Sequence, residues 1–207
     1  MDIGNLSAAL ESIRRNTPVP GSRAATYLMT YPALLSLARH SETDKKEKFL
    51  QIATATYGWM PRIVRLDPPH LNLAVQAFTQ AQTVNDDLWR EVPVNHVAQC
   101  FHSVVGASKL LHFANPNVFP IWDRNVERIY HGSDPTQNHM GQVRNYVSYA
   151  GWVHELRGRP TFKAFYEDFI RAYEERLDRL GITRYRLTEV RAVEAAAFEL
   201  AGDENES

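Results

Sequence analysis

The run Pro160-Thr161-Phe162-Lys163-Ala164-Phe165-Tyr166-Glu167-Asp168-Phe169-Ile170-Arg171-Ala172-Tyr173-Glu174-Glu175-Arg176-Leu177-Asp178-Arg179-Leu180-Gly181 sets its large apolar residues three and four apart. Phe162, Phe165, Phe169, Tyr173, Leu177 and Leu180 therefore fall on one face of a helix, with charged residues on the other. Proline at the start and glycine at the end are the expected punctuation. Working outward, the same spacing predicts helices near Leu6–Arg15, Arg23–Thr30, Ala33–His40, Asp44–Tyr57, Pro69–Gln80, Pro93–Phe101, Ala107–Asn115, Asp123–Tyr130, Thr136–Leu156 and Thr188–Ala201. Nowhere does strict alternation run long enough to demand a strand. The chain reads as all-α, with about ten helices joined by short loops marked by Pro or Gly.

With 207 residues the chain is long enough to bury roughly 70% of its unfolded surface, so it needs neither disulfides nor a structural metal to fold. It makes one domain or two closely packed lobes, 1–85 and 86–201, with the seam at the polar Asn85-Asp86-Asp87 run and a frayed tail over 202–207. A single cysteine, Cys100, excludes an internal disulfide and a four-thiolate metal site. No apolar run is long enough to span a membrane, and no basic-then-apolar leader opens the chain, so a cytoplasmic protein is expected. The net charge of -1 excludes a protein that coats nucleic acid by bulk electrostatics but leaves room for a local patch.

Phosphate loops, dinucleotide fingerprints, nucleophile elbows and zinc helices are missing from the sequence. The eight histidines are scattered, and His96 with His102 or His131 with His139 lack metal-ligand spacing and an acidic partner, so no metal or cofactor is expected. The informative segment is Val94 to Gly132. It reads as a helix to Phe101, a hairpin His102-Ser103-Val104-Val105-Gly106, and a second helix from Ala107. A glycine at the apex would leave the N–H groups of the second helix facing outward, ready for a phosphate oxygen. Val105, Gly106, Ser108 and Lys109 would make such a backbone anchor.

The segment that follows, Phe119-Pro120-Ile121-Trp122-Asp123-Arg124-Asn125-Val126-Glu127-Arg128, resembles the Pro-Val/Ile-x-Asp-x-x-Val-x-Arg signature of the helix-hairpin-helix DNA glycosylases, especially the adenine-mispair branch. Val104-Val105-Gly106-Ala107-Ser108 is similar to the family's Gly-Val-Gly hairpin, with Val104 in place of the first glycine and a Ser108-to-Asp123 interval a few residues short. The resemblance implies a double-stranded DNA partner carrying a modified or damaged base. It also implies two helical lobes around a cleft, and Asp123 as the essential carboxylate. Breaking a glycosidic bond places positive charge on the sugar, which a fixed carboxylate stabilises. By position alone, an Asp before a helix is an N-cap.

Family members that also cut the strand use a hairpin-helix lysine as nucleophile. That position aligns with Ser108, and Lys109 is rotated about 100° from it. The expectation is thus base removal without strand cleavage, with Lys109 either at the phosphate or in the catalytic role. Tyr57, Trp59 and Trp122 are candidate walls of a pocket for the flipped base, the first two in a predicted loop Tyr57–Pro61. Tyr149 and Trp152 are alternatives, and Arg124 and Arg128 are candidate phosphate contacts. The resemblance extends to bacterial relatives that excise bulky modified cytosines, such as glucosylated hydroxymethylcytosine, from phage DNA. The alternatives are repair of a mispaired, alkylated or oxidised base, a non-catalytic DNA-binding module, or a helical interaction protein.

Overall fold

The computed structural model describes residues 2–40, 44–60 and 63–202. They form eleven α-helices: α1 (Ile3–Arg15), α2 (Arg23–Arg39), α3 (Lys45–Trp59), α4 (Pro68–Thr83), α5 (Val94–Phe101), α6 (Val104–Ala114), α7 (Arg124–His131), α8 (Gln137–Met140), α9 (Val143–Arg157), α10 (Phe162–Arg179) and α11 (Glu189–Ala201). A 3-10 turn at Trp89–Glu91 precedes α5, and there is no strand among the described residues. No described helix is long and apolar enough to cross a membrane.

Local chemistry explains most of the boundaries. Asp2, Ser22, Asp44, Ser103, Asp123, Thr136 and Thr188 each accept an N–H of the following helix. At the end of α10 the left-handed Gly181 lets Ile182 N–H reach the Leu177 carbonyl at 2.9 Å and its own N–H reach Asp178 at 3.0 Å. The buried stripe of α10, including Phe162, Phe165, Phe169, Tyr173 and Leu177, packs on α1 and α11. From α1 come Leu6, Ala9 and Ile13, all fully buried. Each large side chain sealed this way stabilises the fold by about 1.5–3 kcal/mol.

Three helices depart from the sequence expectation. Arg23–Thr30 and Ala33–His40 are one helix, α2, with Pro32 inside it. Proline lacks the N–H that would bond the carbonyl four residues back, and the Leu28 carbonyl so released accepts the Tyr185 hydroxyl at 2.8 Å. The expected Thr136–Leu156 helix divides at Gly141-Gln142, because Gln142 is extended (φ -103, ψ 116). The third, α6, starts at Val104 rather than Ala107. The polar run Asn85–Asp87 forms part of the connection between α4 and α5, which pack closely on each other, and nearly all the buried apolar residues form one cluster drawn from every helix but the short α8. Residues 203–207 of the expected tail lie outside the described residues, as does Pro61.

Candidate functional site

Helices α5 and α6 meet through only two residues. His102 adopts the left-handed conformation (φ 49, ψ 31) that glycine usually supplies, and Ser103 N–H reaches back to the Ala98 carbonyl at 3.0 Å. Ser103 then caps α6, its hydroxyl accepting Gly106 N–H at 2.9 Å. Gly106 is therefore not the apex of a hairpin. It sits inside the first turn of α6, where a Cβ would fall 2.4 Å from the Tyr57 hydroxyl oxygen, so its small size serves close packing. Its N–H is already used, which removes it as a phosphate donor. The N–H groups of Val104 and Val105 have no hydrogen-bond partner among the described residues, and Val105 is half-exposed.

Ser108 is also reassigned. It is fully buried, accepts Trp122 N–H at 3.1 Å, and stands 2.8 Å from the Val105 carbonyl and 3.2 Å from the Trp122 carbonyl. No phosphate can reach it. One turn later His112, also fully buried, stands 2.7 Å from the Phe119 carbonyl through Nδ1 and 2.8 Å from the Tyr31 hydroxyl through Nε2. A proton on Nδ1 satisfies both contacts, with the tyrosine donating. Burial, then the Arg191 charge, hold the His112 pKa down to about 3, with the bond to Phe119 opposing them. Ser108 and His112 together clamp the connection from α6 to α7, and the clamp sets where Asp123 stands.

Asp123 caps α7: its Oδ1 accepts Val126 N–H at 3.0 Å. The residue is half-buried, and Oδ2 has neither a hydrogen bond nor an ion pair among the described residues. Nearby, Tyr149 is fully buried with a hydroxyl that finds no partner among the described residues. Burial pushes that phenol well above its ordinary range, and the Asp123 carboxylate is the next contributor.

Trp122 is fully buried and its indole N–H donates to Glu127 Oε2 at 2.6 Å. It is a core residue rather than a wall of an open pocket. The other oxygen of the buried Glu127 pairs with His139 Nε2, whose ring lies 5.0 Å from that of His131. His139 thus has the acidic partner that sequence spacing did not reveal. No group of three or more ligating side chains able to hold a metal ion occurs among the described residues.

Tyr57 and Trp59 belong to α3, not to a loop. Tyr57 is buried against Phe101 and Gly106, which takes it out of any exposed pocket wall. Trp59 is half-buried; its ring lies 4.8 Å from Tyr27 and 5.5 Å from Phe113. Lys109 Nζ stands 5.7 Å over Trp59, and Arg23 lies 5.6 Å from the Tyr27 ring. Trp59 and Lys109 are the two predicted residues that the fold brings together at a surface, at one end of a row in which two aromatics lie between two cations. Arg124 is exposed with Asp134 at 3.7 Å, a pair too solvated to hold it away from a phosphate. Arg128 instead donates to the Ala201 carbonyl at 2.7 Å, docking α7 onto the end of α11.

Two surface clefts, of about 610 and 560 Å³, lie elsewhere: one beside α2 and the 185–186 segment, the other between α1, α7 and α11. Neither is lined by Asp123. A scan of protein-family models, a search of curated proteins and a search of solved structures each returned no match to this chain.

Proposed function

We propose that the chain is a DNA glycosylase that hydrolyses the bond between deoxyribose and a modified or damaged base turned out of the duplex, leaving an abasic site. The observation that carries this is the Asp123 carboxylate. One oxygen is fixed by the cap of α7, the other is unpaired among the described residues, and the group stands at the end of a connection clamped to α6. A carboxylate so fixed stabilises the positive charge that develops on the sugar as the C1′–N bond breaks. Water then supplies the oxygen that bonds C1′, and the base leaves with a proton. The N–H of the half-exposed Val105, with Lys109 and Arg124, would take the phosphates on either side. Trp59 would stack on the base or its neighbour. The resemblance of Phe119–Arg128 to the glycosylase signature supports the same chemistry. A bulky modified cytosine of phage DNA, such as the glucosylated form, is the substrate we propose first.

Duplex DNA with and without glucosylated hydroxymethylcytosine, followed by alkali cleavage and mass spectrometry of the released base, tests this. Release by the natural chain should fall at least about 100-fold in Asp123→Asn. Duplex affinity and thermal midpoint should change little, since asparagine caps as well as aspartate. No release from glucosylated, alkylated, oxidised or mispaired substrates would overturn the proposal and leave Asp123 a cap. Strand breaks without alkali would move Lys109 to a covalent role.

A further inference from the structure

The cleft of about 610 Å³ has walls of two kinds. From α2, Pro32, Leu35, Ser36 and Arg39 share one face at helical spacing, and His40 follows at its end. Across from them the 185–186 segment contributes Tyr185 and Arg186. Three cationic or protonatable side chains thus line a space within the size range of small-molecule sites, and no carboxylate of the described residues lines it.

The cations are available. Arg39 is exposed and has no ion pair or hydrogen bond among the described residues. Arg186 is exposed and, among the described residues, is held by the Tyr166 hydroxyl at 3.3 Å and the Tyr166 ring at 5.4 Å. Glu167 and Glu174 act on Arg186 only at longer range. The carbonyls at the end of α2 would ordinarily repel an anion, yet here three of them are occupied. Ser36 O faces His40 Nδ1 at 3.1 Å, Ala38 O accepts Gln82 at 3.4 Å, and His40 O accepts the Lys48 ammonium. Tyr185 is held rigid. Its hydroxyl donates to Leu28 O at 2.8 Å and stands 2.9 Å from the Tyr173 hydroxyl, while its ring packs at 5.8 Å on Tyr31.

We propose that this cleft binds a nucleotide, its phosphate between Arg39 and Arg186 and its planar base against Tyr185, Leu35 and Pro32. Guanidinium pairs match phosphate geometry, and a fixed aromatic beside them suits a flat ring. The nucleotide is either free or one unit of a strand. The site is independent of base excision, because Asp123 is no part of it.

Calorimetric titration with thymidine 5′-monophosphate, inorganic phosphate and a twelve-residue oligothymidylate separates these sources. Saturable binding of the mononucleotide is expected, weaker by about tenfold or more in Arg39→Ala at unchanged thermal midpoint. Arg186→Lys, which keeps the charge and loses the fork, should weaken it less. Competition between oligonucleotide and mononucleotide assigns a strand; mononucleotide binding alone assigns a free ligand. No saturation up to about 10 mM of any probe, equal affinity in Arg39→Ala, or phosphate binding as tightly as the nucleotide, would each overturn the assignment. Asp123→Asn should bind the mononucleotide like the natural chain, so loss of base release and loss of this site are read separately.

Discussion

Ser108 and His112, one turn apart on α6, are sealed inside and clamp the 115–122 connection, whereas Val105 and Lys109, one turn apart on the adjoining stripe, are half-exposed, Lys109 over Trp59. A rotation of about 100° per residue separates the two stripes. Ser108 and Lys109 are neighbours in sequence with similar chemistry for gripping a phosphate, and the fold gives one to the core and the other to the surface. Polar residue type alone therefore does not mark an interface; the stripe on which it falls does.

Substitution on either side breaks or sharpens this contrast. The largest effect belongs to the carboxylate that the clamp holds: Asp123→Asn should cost at least about 100-fold in base release for under about 1 kcal/mol of stability. Ser108→Ala should show first in stability. It strands a buried Trp122 N–H and should cost about 1–3 kcal/mol in chemical denaturation. A Ser108→Ala chain of natural stability would mean that the clamp is ornamental.

His112 gives the inner stripe a pH signature. Its folded pKa of about 3 lies below the ordinary value near 6.5, so between those values the unfolded chain binds the proton that the folded chain refuses. Stability is therefore complete above about pH 6.5 and falls as pH drops, by about 2 kcal/mol at pH 5 and no faster than about 1.4 kcal/mol per unit from this one group. Denaturation midpoints at pH 7, 6 and 5 measure it; a flat profile would show that water reaches the ring.

On the outer stripe, Lys109→Ala should cost no more than about 1 kcal/mol of stability through the lost contact with Trp59 and lower the slope of log affinity for DNA against log salt by about 1. An unchanged slope would remove Lys109 from the interface. The smallest effect lies at the turn joining the two helices. His102→Gly relieves a left-handed residue and should stabilise the chain by about 0.5–1 kcal/mol, read from the thermal midpoint.

Some of this was legible in the linear order of residues. The apolar spacing of α10 and its glycine stop are local, so Phe162 to Leu177 could be assigned a face without knowing the partner. Asp123 as a cap follows from its place before Arg124-Asn125-Val126. Other features depend on residues far away in the chain. The glycine of Val104-Val105-Gly106 suggests an apex, but it serves the approach of Tyr57, and the left-handed step falls on His102. Trp122, read as a candidate wall of the base pocket, is consumed by Glu127. The Tyr31–His112 pair joins residues 81 positions apart and had no signature to find.

Periodicity and capping are contained within a turn or two of chain, so the residues themselves determined that this protein is helical and where most helices begin. Continuity through Pro32 was decided by a hydroxyl 157 positions away, and the burial of Ser108 and Trp122 by the packing of α6 against the connection to α7. A lone donor or acceptor can be satisfied by many partners, and only the assembled core selects which one it meets.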